Sequence, residues 1–219
     1  LRNRLLANYR RTARLASRFP RLTNALMGNS LVRAVGERLL GVTAEREFPA
    51  FATETFREWW AARGGAAVES DDKRVAYFHG CYANFNTPEV AKALVRVYEA
   101  FGYEVAVPEQ GCSGTPMFAN GMLPDASRDA ERNVLTFSEM VDAGYDVVCS
   151  CTSCSMALRK EYPELFDYDG TADVAAHTSE ALEYLRVHED LAGAIDGAEV
   201  DLPPLAYHAP CHARNQGLA

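Results

Sequence analysis

The chain has 219 residues, 48% of them apolar and 24% charged, with six cysteines and a formal charge of −8. That composition excludes a disordered, collagenous or rod-like protein and fits one good core with a small appendage. No run of eighteen apolar residues occurs and the Arg-studded opening has no apolar segment, which excludes a transmembrane helix and a signal peptide. The charge is unevenly spread: residues 1–46 carry ten Arg against Glu37 and Glu45, and the rest of the chain is strongly acidic. A cationic arm on an acidic body predicts either docking onto anionic lipid or an acidic partner, or a merely solvated helical face. Nucleic acid is excluded as a partner, because the acidic bulk repels phosphate and no groove of basic and aromatic residues is patterned.

Residues 1–62 read as short helices forming an arm. Leu15, Phe19, Leu22 and Leu26 keep helical spacing, with a break at Pro20. Ser30 is the expected cap of a second helix carrying Leu31, Val35 and Leu39 and stopped by Gly41. Thr53 is the expected cap of a third, which presents Phe56, Trp59 and Trp60. These faces call for a covering surface, either the main domain or another subunit. Residues 63–73 read as a linker, rich in Gly, Ser and Asp.

From residue 74 to 204 strands and helices alternate. Val75–Phe78 is a short buried strand. Thr87-Pro88-Glu89 then opens a helix with Val90, Leu94, Val97 and Phe101 on one face. Tyr103–Val107 is a second strand, and a helix bearing Ala130, Val134, Phe137 and Val141 follows it. Tyr145–Cys149 is a third strand, followed by helix around Ser155–Tyr162 and another over about Asp173–Val187. Pro203-Pro204 introduces an expected fourth strand, Leu205–His208. Such repetition predicts an α/β fold, a parallel sheet with helices on both faces.

All six cysteines fall at or just past the C-terminal end of a predicted strand. Cys81 follows the first, Cys112 the second, Cys149, Cys151 and Cys154 the third, and Cys211 the fourth. In a parallel sheet those ends share one edge, where open α/β folds build their sites. A disulfide framework is disfavoured by the missing secretory signal and the tight Cys151-Thr152-Ser153-Cys154 spacing. Cys149, behind Val147-Val148, suits a buried inert thiol. A redox dithiol at Cys151/Cys154 leaves Cys81 and Cys112 unexplained, and a phosphatase Cys-x5-Arg loop fails because four residues, not five, separate Cys154 from Arg159. A zinc or iron–sulfur site uses all the remaining thiols, because thiolate is the preferred soft ligand. Gly80, Gly111 and Gly114 beside Cys81 and Cys112 allow close backbone approach and leave amides available to a cluster, as cofactor-binding neighbours with Ser113. A short internal echo pairs Val75–Cys81 with Leu205–Cys211, as if Cys211 opened a second copy of one module.

His79-Gly80-Cys81, Gly111-Cys112-Ser113-Gly114, Cys151-Thr152-Ser153-Cys154 and Tyr207-His208-Ala209-Pro210-Cys211-His212 together resemble the cysteine-rich CCG family. That family includes the heterodisulfide reductase subunit of this cysteine-rich type, iron–sulfur subunits of glycolate and lactate oxidation, and a corresponding subunit of anaerobic glycerol-3-phosphate dehydrogenase. Thirty residues separate Cys81 from Cys112 and thirty-seven separate Ser113 from Cys151, which suits the family's spacing. The wording FHGCYANFNTPEVAKAL, FANG and SCSMALRKEYPEL is most similar to the glycerol-3-phosphate dehydrogenase branch.

The resemblance implies a Rossmann-like module over 74–204 whose Cys81, Cys112, Cys151 and Cys154 ligate a 4Fe-4S-type cluster, or zinc in some members. Residues 205–219, with Cys211, would begin a truncated second module, and His208 and His212 would be alternative ligands or ordinary hydrogen-bonded histidines. Ser113 departs from the family's Cys-Cys-Gly and argues against a five-thiol cluster. Relatives carry a ferredoxin-like part ahead of these modules, and together with the initial Leu this leads to the expectation of a piece of a longer protein. The implied function is an electron-transfer subunit at the cytoplasmic face of the cell membrane. It would take electrons from a flavoprotein dehydrogenase subunit, where FAD would reside, and pass them with other membrane-complex subunits toward the quinone pool. Its alternatives are a heterodisulfide-reductase-like catalytic subunit and a structural zinc module; no residue is expected to act as a catalytic nucleophile.

Overall fold

The structure is a computed structural model and describes residues 2–196, 203–204 and 206–218. The arm is a series of short helices: α1 (Arg2–Ala7), α2 (Tyr9–Ala16), α3 (Pro20–Gly28) and α4 (Ser30–Leu40), with α5 (Phe56–Arg63) nearest the body. The expected break falls before Pro20, which becomes the first residue of α3, and α4 stops at Gly41 in the left-handed conformation. Two caps differ from expectation by a residue or two. Asn29, not Ser30, caps α4, accepting from the Leu31 and Val32 amides. Thr55, not Thr53, caps α5, because Glu58 three residues on completes a reciprocal capping box that Thr53 has no partner to form.

The body runs β1 (Arg74–Phe78), α6 (Gly80–Phe85), α7 (Pro88–Ala100), β2 (Glu104–Ala106), α8 (Thr115–Phe118), α9 (Leu123–Asp142) and β3 (Asp146–Cys149). It continues with α10 (Thr152–Met156), a π-helical turn (Ala157–Glu161), α11 (Tyr162–Leu165), α12 (Thr171–Ala176), β4 (Thr178–Glu180), α13 (Ala181–His188), α14 (Leu191–Ile195) and α15 (Cys211–Asn215). The described strands form one all-parallel sheet in the order β2-β1-β3-β4. The fold is therefore α/β, as the alternation predicts. Chain direction across the sheet reverses between β1 and β3, and in open parallel sheets ligands sit at the carboxyl end of that switch point.

Strand geometry sends alternate residues of β1 to opposite faces. Val75 and Tyr77 join Val105, Val148, Ala91, Val95, Tyr98 and Leu185 on one side. Ala76 and Phe78 join Val147, Cys149, Val134, Phe137, Leu158 and Tyr162 on the other. Both layers are fully enclosed, at about 1.5–3 kcal/mol for each large apolar side chain buried.

The expected fourth strand at 205–208 is not what the structure forms: Ala206–His208 are irregular, and Leu205 lies outside the described residues. The sheet's fourth strand is instead β4, inside the stretch read as a single helix over 173–187. Val174, Ala181 and Leu185 are buried at helical spacing on both sides of it, and three strand residues give no alternation to interrupt that rhythm. Glu180 ends the strand by accepting from the Leu182 and Glu183 amides, so it caps α13. The echo between 75–81 and 205–211 accordingly has no second strand among the described residues.

The Phe56/Trp59/Trp60 helix is not a free docking face. Phe56 is fully buried, and both tryptophans pack against the same cluster as α7, with Arg63 over the two indole rings.

Candidate metal centre

β1 ends at Phe78, and the chain turns through His79 and Gly80 into α6, which carries Cys81. Gly80 has φ +68, and a Cβ there would lie 3.2 Å from the sulfur of Cys154. Both facts require glycine, and the second brings the β1 turn against the β3 turn. Cys112 lies in the loop after β2. There Gly114, at φ +88, leaves room for the Phe118 ring, which would come within 2.7 Å of any Cβ. Beyond β3, Cys151 is the residue before α10, and its carbonyl accepts from the amides of Cys154 and Ser155.

These three turns bring Cys81, Cys112, Cys151 and Cys154 to a single pocket of about 370 Å³. Tyr9, Met27, Phe48 and Phe51 of the arm and the segment after it form its cover, an apolar surround that limits water. The thiols stand as two hydrogen-bonded pairs, Cys81 with Cys112 and Cys151 with Cys154. Within each pair one sulfur favours the thiolate. Cys151 is pulled down to about 5 by the Cys154 thiol, helped by the Ser153 and Cys154 amides. Cys154 is pushed up by the same bond and by burial. Cys112 is lowered by its bond from Cys81 and by the Gly114 amide, and Cys81 is raised in return. Two thiolates already present and two thiols to deprotonate are a suitable donor set for a soft metal or an iron–sulfur cluster. Among the described residues no three His, Cys, Asp or Glu side chains yet converge on one metal point. The fit therefore rests on donor chemistry and on the glycine-lined turns that let the pairs approach.

Ser113, where the family pattern has its second cysteine, is 3% exposed and hydrogen-bonds to Cys154. Cys149 is fully buried in the core. Cys211 is exposed at the start of α15 and is not part of the pocket, because the strand expected to deliver it does not form there. All six cysteines are free thiols. Residues 211–216 nevertheless return to the site. His212 Nδ1 lies 2.7 Å from Ser153 Oγ, and the Gln216 amide donates to Thr152 O at 2.9 Å. His212 thus braces the Cys151–Cys154 turn through Ser153, while His208 is exposed.

One positioning residue escaped the sequence reading. Asn133, 1% exposed on α9, accepts from the Gly111 amide at 2.6 Å. Its Nδ2 donates to Cys112 O and to the Tyr162 hydroxyl, both at 3.0 Å. It therefore ties the Cys112 loop to the helix that follows Cys154. A polar residue set among Ala130, Val134 and Phe137 on an apolar face was the available signal.

The family model for the cysteine-rich domain, CCG, matches residues 75–159. A subunit of the anaerobic glycerol-3-phosphate dehydrogenase from Escherichia coli K12 is 30% identical over 223 residues, covering 99% of this chain and 54% of that one. A subunit of the fumarate reductase (CoM/CoB) from Methanothermobacter marburgensis is 32% identical over 157 residues, covering 68% of this chain and 28% of that one. An uncharacterized iron–sulfur protein from Methanococcus maripaludis is 30% identical over 151 residues, covering 67% of this chain and 27% of that one. The chain spans about half the length of the first of these relatives and less of the others. No solved structure matches it.

Proposed function

Because the chain belongs to the CCG cysteine-rich family, with its CCG domain at residues 75–159, we propose that it is an iron–sulfur electron-transfer subunit of a dehydrogenase. The dehydrogenase we favour is of the anaerobic glycerol-3-phosphate type. The observation that carries this reading is the meeting of Cys81, Cys112, Cys151 and Cys154 in one covered pocket. A bound 4Fe-4S cluster supplies reversible one-electron transfer. The chain's own part is to hold the four sulfurs, to exclude water through Tyr9, Met27, Phe48 and Phe51, and to direct backbone amides at the sulfurs. Those amides tune a potential. Substrate oxidation belongs on this reading to a partner flavoprotein that carries the FAD, with electrons continuing toward membrane quinone. Ser113 weighs against the heterodisulfide-reductase-like alternative, in which the cluster itself handles substrate.

Among the described residues no helix is long and apolar enough to cross a membrane. Association with the cytoplasmic face would instead be peripheral, through the arm. Leu22, Leu26, Leu31, Val35 and Leu39 are all about half exposed or more there, interspersed with Arg21, Arg33 and Arg38. A basic amphipathic surface of that kind suits anionic headgroups.

The deciding experiment is iron, zinc and acid-labile sulfide analysis of anaerobically purified protein, with EPR of the oxidised and reduced forms. Iron and sulfide at about four each, lost in Cys112→Ser and Cys154→Ser and retained in Cys149→Ser, are expected. Zinc without iron would replace electron transfer by a structural zinc module, and a folded protein holding neither would remove the site assignment.

A further inference from the structure

A second cavity, of about 590 Å³, lies between the arm and the carboxyl edge of the sheet, and shares His79, Gly80 and Cys81 with the thiol pocket. Arg10, Arg14 and Arg18 line it at four-residue intervals from α2 and the turn after it, facing Arg57 of α5. Among the described residues no carboxylate pairs with Arg10, Arg14 or Arg18. The two acids on the wall are committed elsewhere: Glu109 pairs with Arg57, and Glu58 is held in the Thr55 capping box. Arg10 is anchored by donating to Gln110 O at 2.8 Å. The cavity is therefore cationic although the body of the protein is acidic.

Its wall also holds three buried polar atoms without a hydrogen-bond partner, Ser17 Oγ, His79 Nε2 and Gln110 Oε1. His79 and Gln110 are 6% and 4% exposed. Both present an acceptor. His79 Nδ1 is 2.7 Å from Gly80 O and so carries the proton, which leaves the Nε2 lone pair. Gln110 Nε2 donates to Tyr77 O at 3.1 Å, which fixes the amide and leaves Oε1. Arginines alone would suit any anion. Arginines facing two orphaned acceptors and a hydroxyl specify a ligand with negative charge at one end and hydrogen-bond donors at the other.

We propose that this cavity binds a small hydroxylated organic anion, with its charged group against Arg10, Arg14 and Arg18 and its hydroxyls donating to His79 and Gln110. A polyol phosphate and a hydroxycarboxylate share that chemistry. The site adjoins Cys81, so a bound ligand would sit beside the thiol centre, yet its binding does not depend on whether the thiols hold iron.

Calorimetric titration of the full chain at low salt tests this, with glycerol 3-phosphate, lactate, inorganic phosphate and glycerol as probes. One site is expected, with glycerol 3-phosphate or lactate binding at least tenfold tighter than inorganic phosphate or glycerol. Whichever of the first two is tighter identifies the anionic group. The Arg14→Gln/Arg18→Gln double variant, altered only at exposed positions, should weaken that binding tenfold or more. Gln110→Met should weaken the hydroxylated ligand and leave inorganic phosphate unchanged, with Ser17→Ala serving the same purpose if Gln110→Met fails to fold. Absence of binding by every probe, equal affinity for glycerol 3-phosphate and inorganic phosphate, or indifference to the double arginine variant would overturn the proposal. Because none of these readouts involves metal, their failure is separate from failure of the electron-transfer reading.

Discussion

In the α/β body, Val75, Ala76, Tyr77 and Phe78 of β1 are all fully enclosed; in α3 and α4 of the arm no residue is buried, and Leu22, Leu31 and Leu39 are 60%, 72% and 75% exposed. Both regions are patterned for burial, and only one achieves it. The body's strands are clamped between two helical layers that cover them from either side. The hairpin of α3 and α4 is tied down by few polar bonds, such as Asn24 to both the amide and the carbonyl of Phe51. An amphipathic period thus specifies a face, whereas stability comes from the second surface that removes it from water.

Substitutions on the two sides should separate these cases. Phe137→Ala, in the cluster beneath β1 and β3, should cost about 3–5 kcal/mol in urea denaturation. Asn133→Ala should follow at about 2 kcal/mol, since it leaves the buried Gly111 amide and Cys112 carbonyl unpartnered. It should also lower iron retention, a second readout that a purely structural residue would not move. Smaller again is the tie of Glu189 to Lys73 and the Tyr103 hydroxyl, at 2.7 and 2.8 Å. The Lys73 ammonium holds the Glu189 carboxyl below its ordinary 4.5. Its contribution is therefore complete above that value and is lost as pH falls through the lower folded value. Lys73→Met should flatten that part of an acid denaturation curve. Least of all, Leu31→Ala and Leu39→Ala should change stability by no more than about 0.5 kcal/mol. A cost above 1 kcal/mol at either, measured on the isolated chain, would mean that the arm's face is covered in solution and the contrast between the regions is false.

The body was legible because its signals are redundant. The Thr87-Pro88-Glu89 start, the buried run at Val75–Phe78 and the glycines beside Cys81 and Cys112 each point the same way. Four sulfurs could be nominated together because parallel strands deliver their following turns to one edge. β4 was hidden by the helical rhythm that Val174, Ala181 and Leu185 maintain across it. Cys211 was grouped with the others only through a strand at 205–208 that the described residues do not form. Thr53 and Thr55 are equally good caps in isolation, and only the reach of Glu58 decides between them. Asn133 was overlooked because a helix face is read by its apolar members, while its role depends on two loops that sequence does not place beside it.

The π-helical turn at Ala157–Glu161 has a consequence for how this region tolerates length changes. A π turn holds one residue more than the α turn it replaces, and each residue of helix advances the chain by about 100°. Removing one residue between Cys154 and Tyr162 would let the segment relax into regular helix, with every hydrogen bond still made locally. Yet Tyr162 would swing off the Asn133 amide, and Arg159 and Lys160 would exchange their places toward Glu183 and the Asn215 carbonyl. Along this stretch the count of residues is under tighter constraint than their identity: a homologue one residue shorter here would have to rebuild the support of its second thiol pair from different side chains.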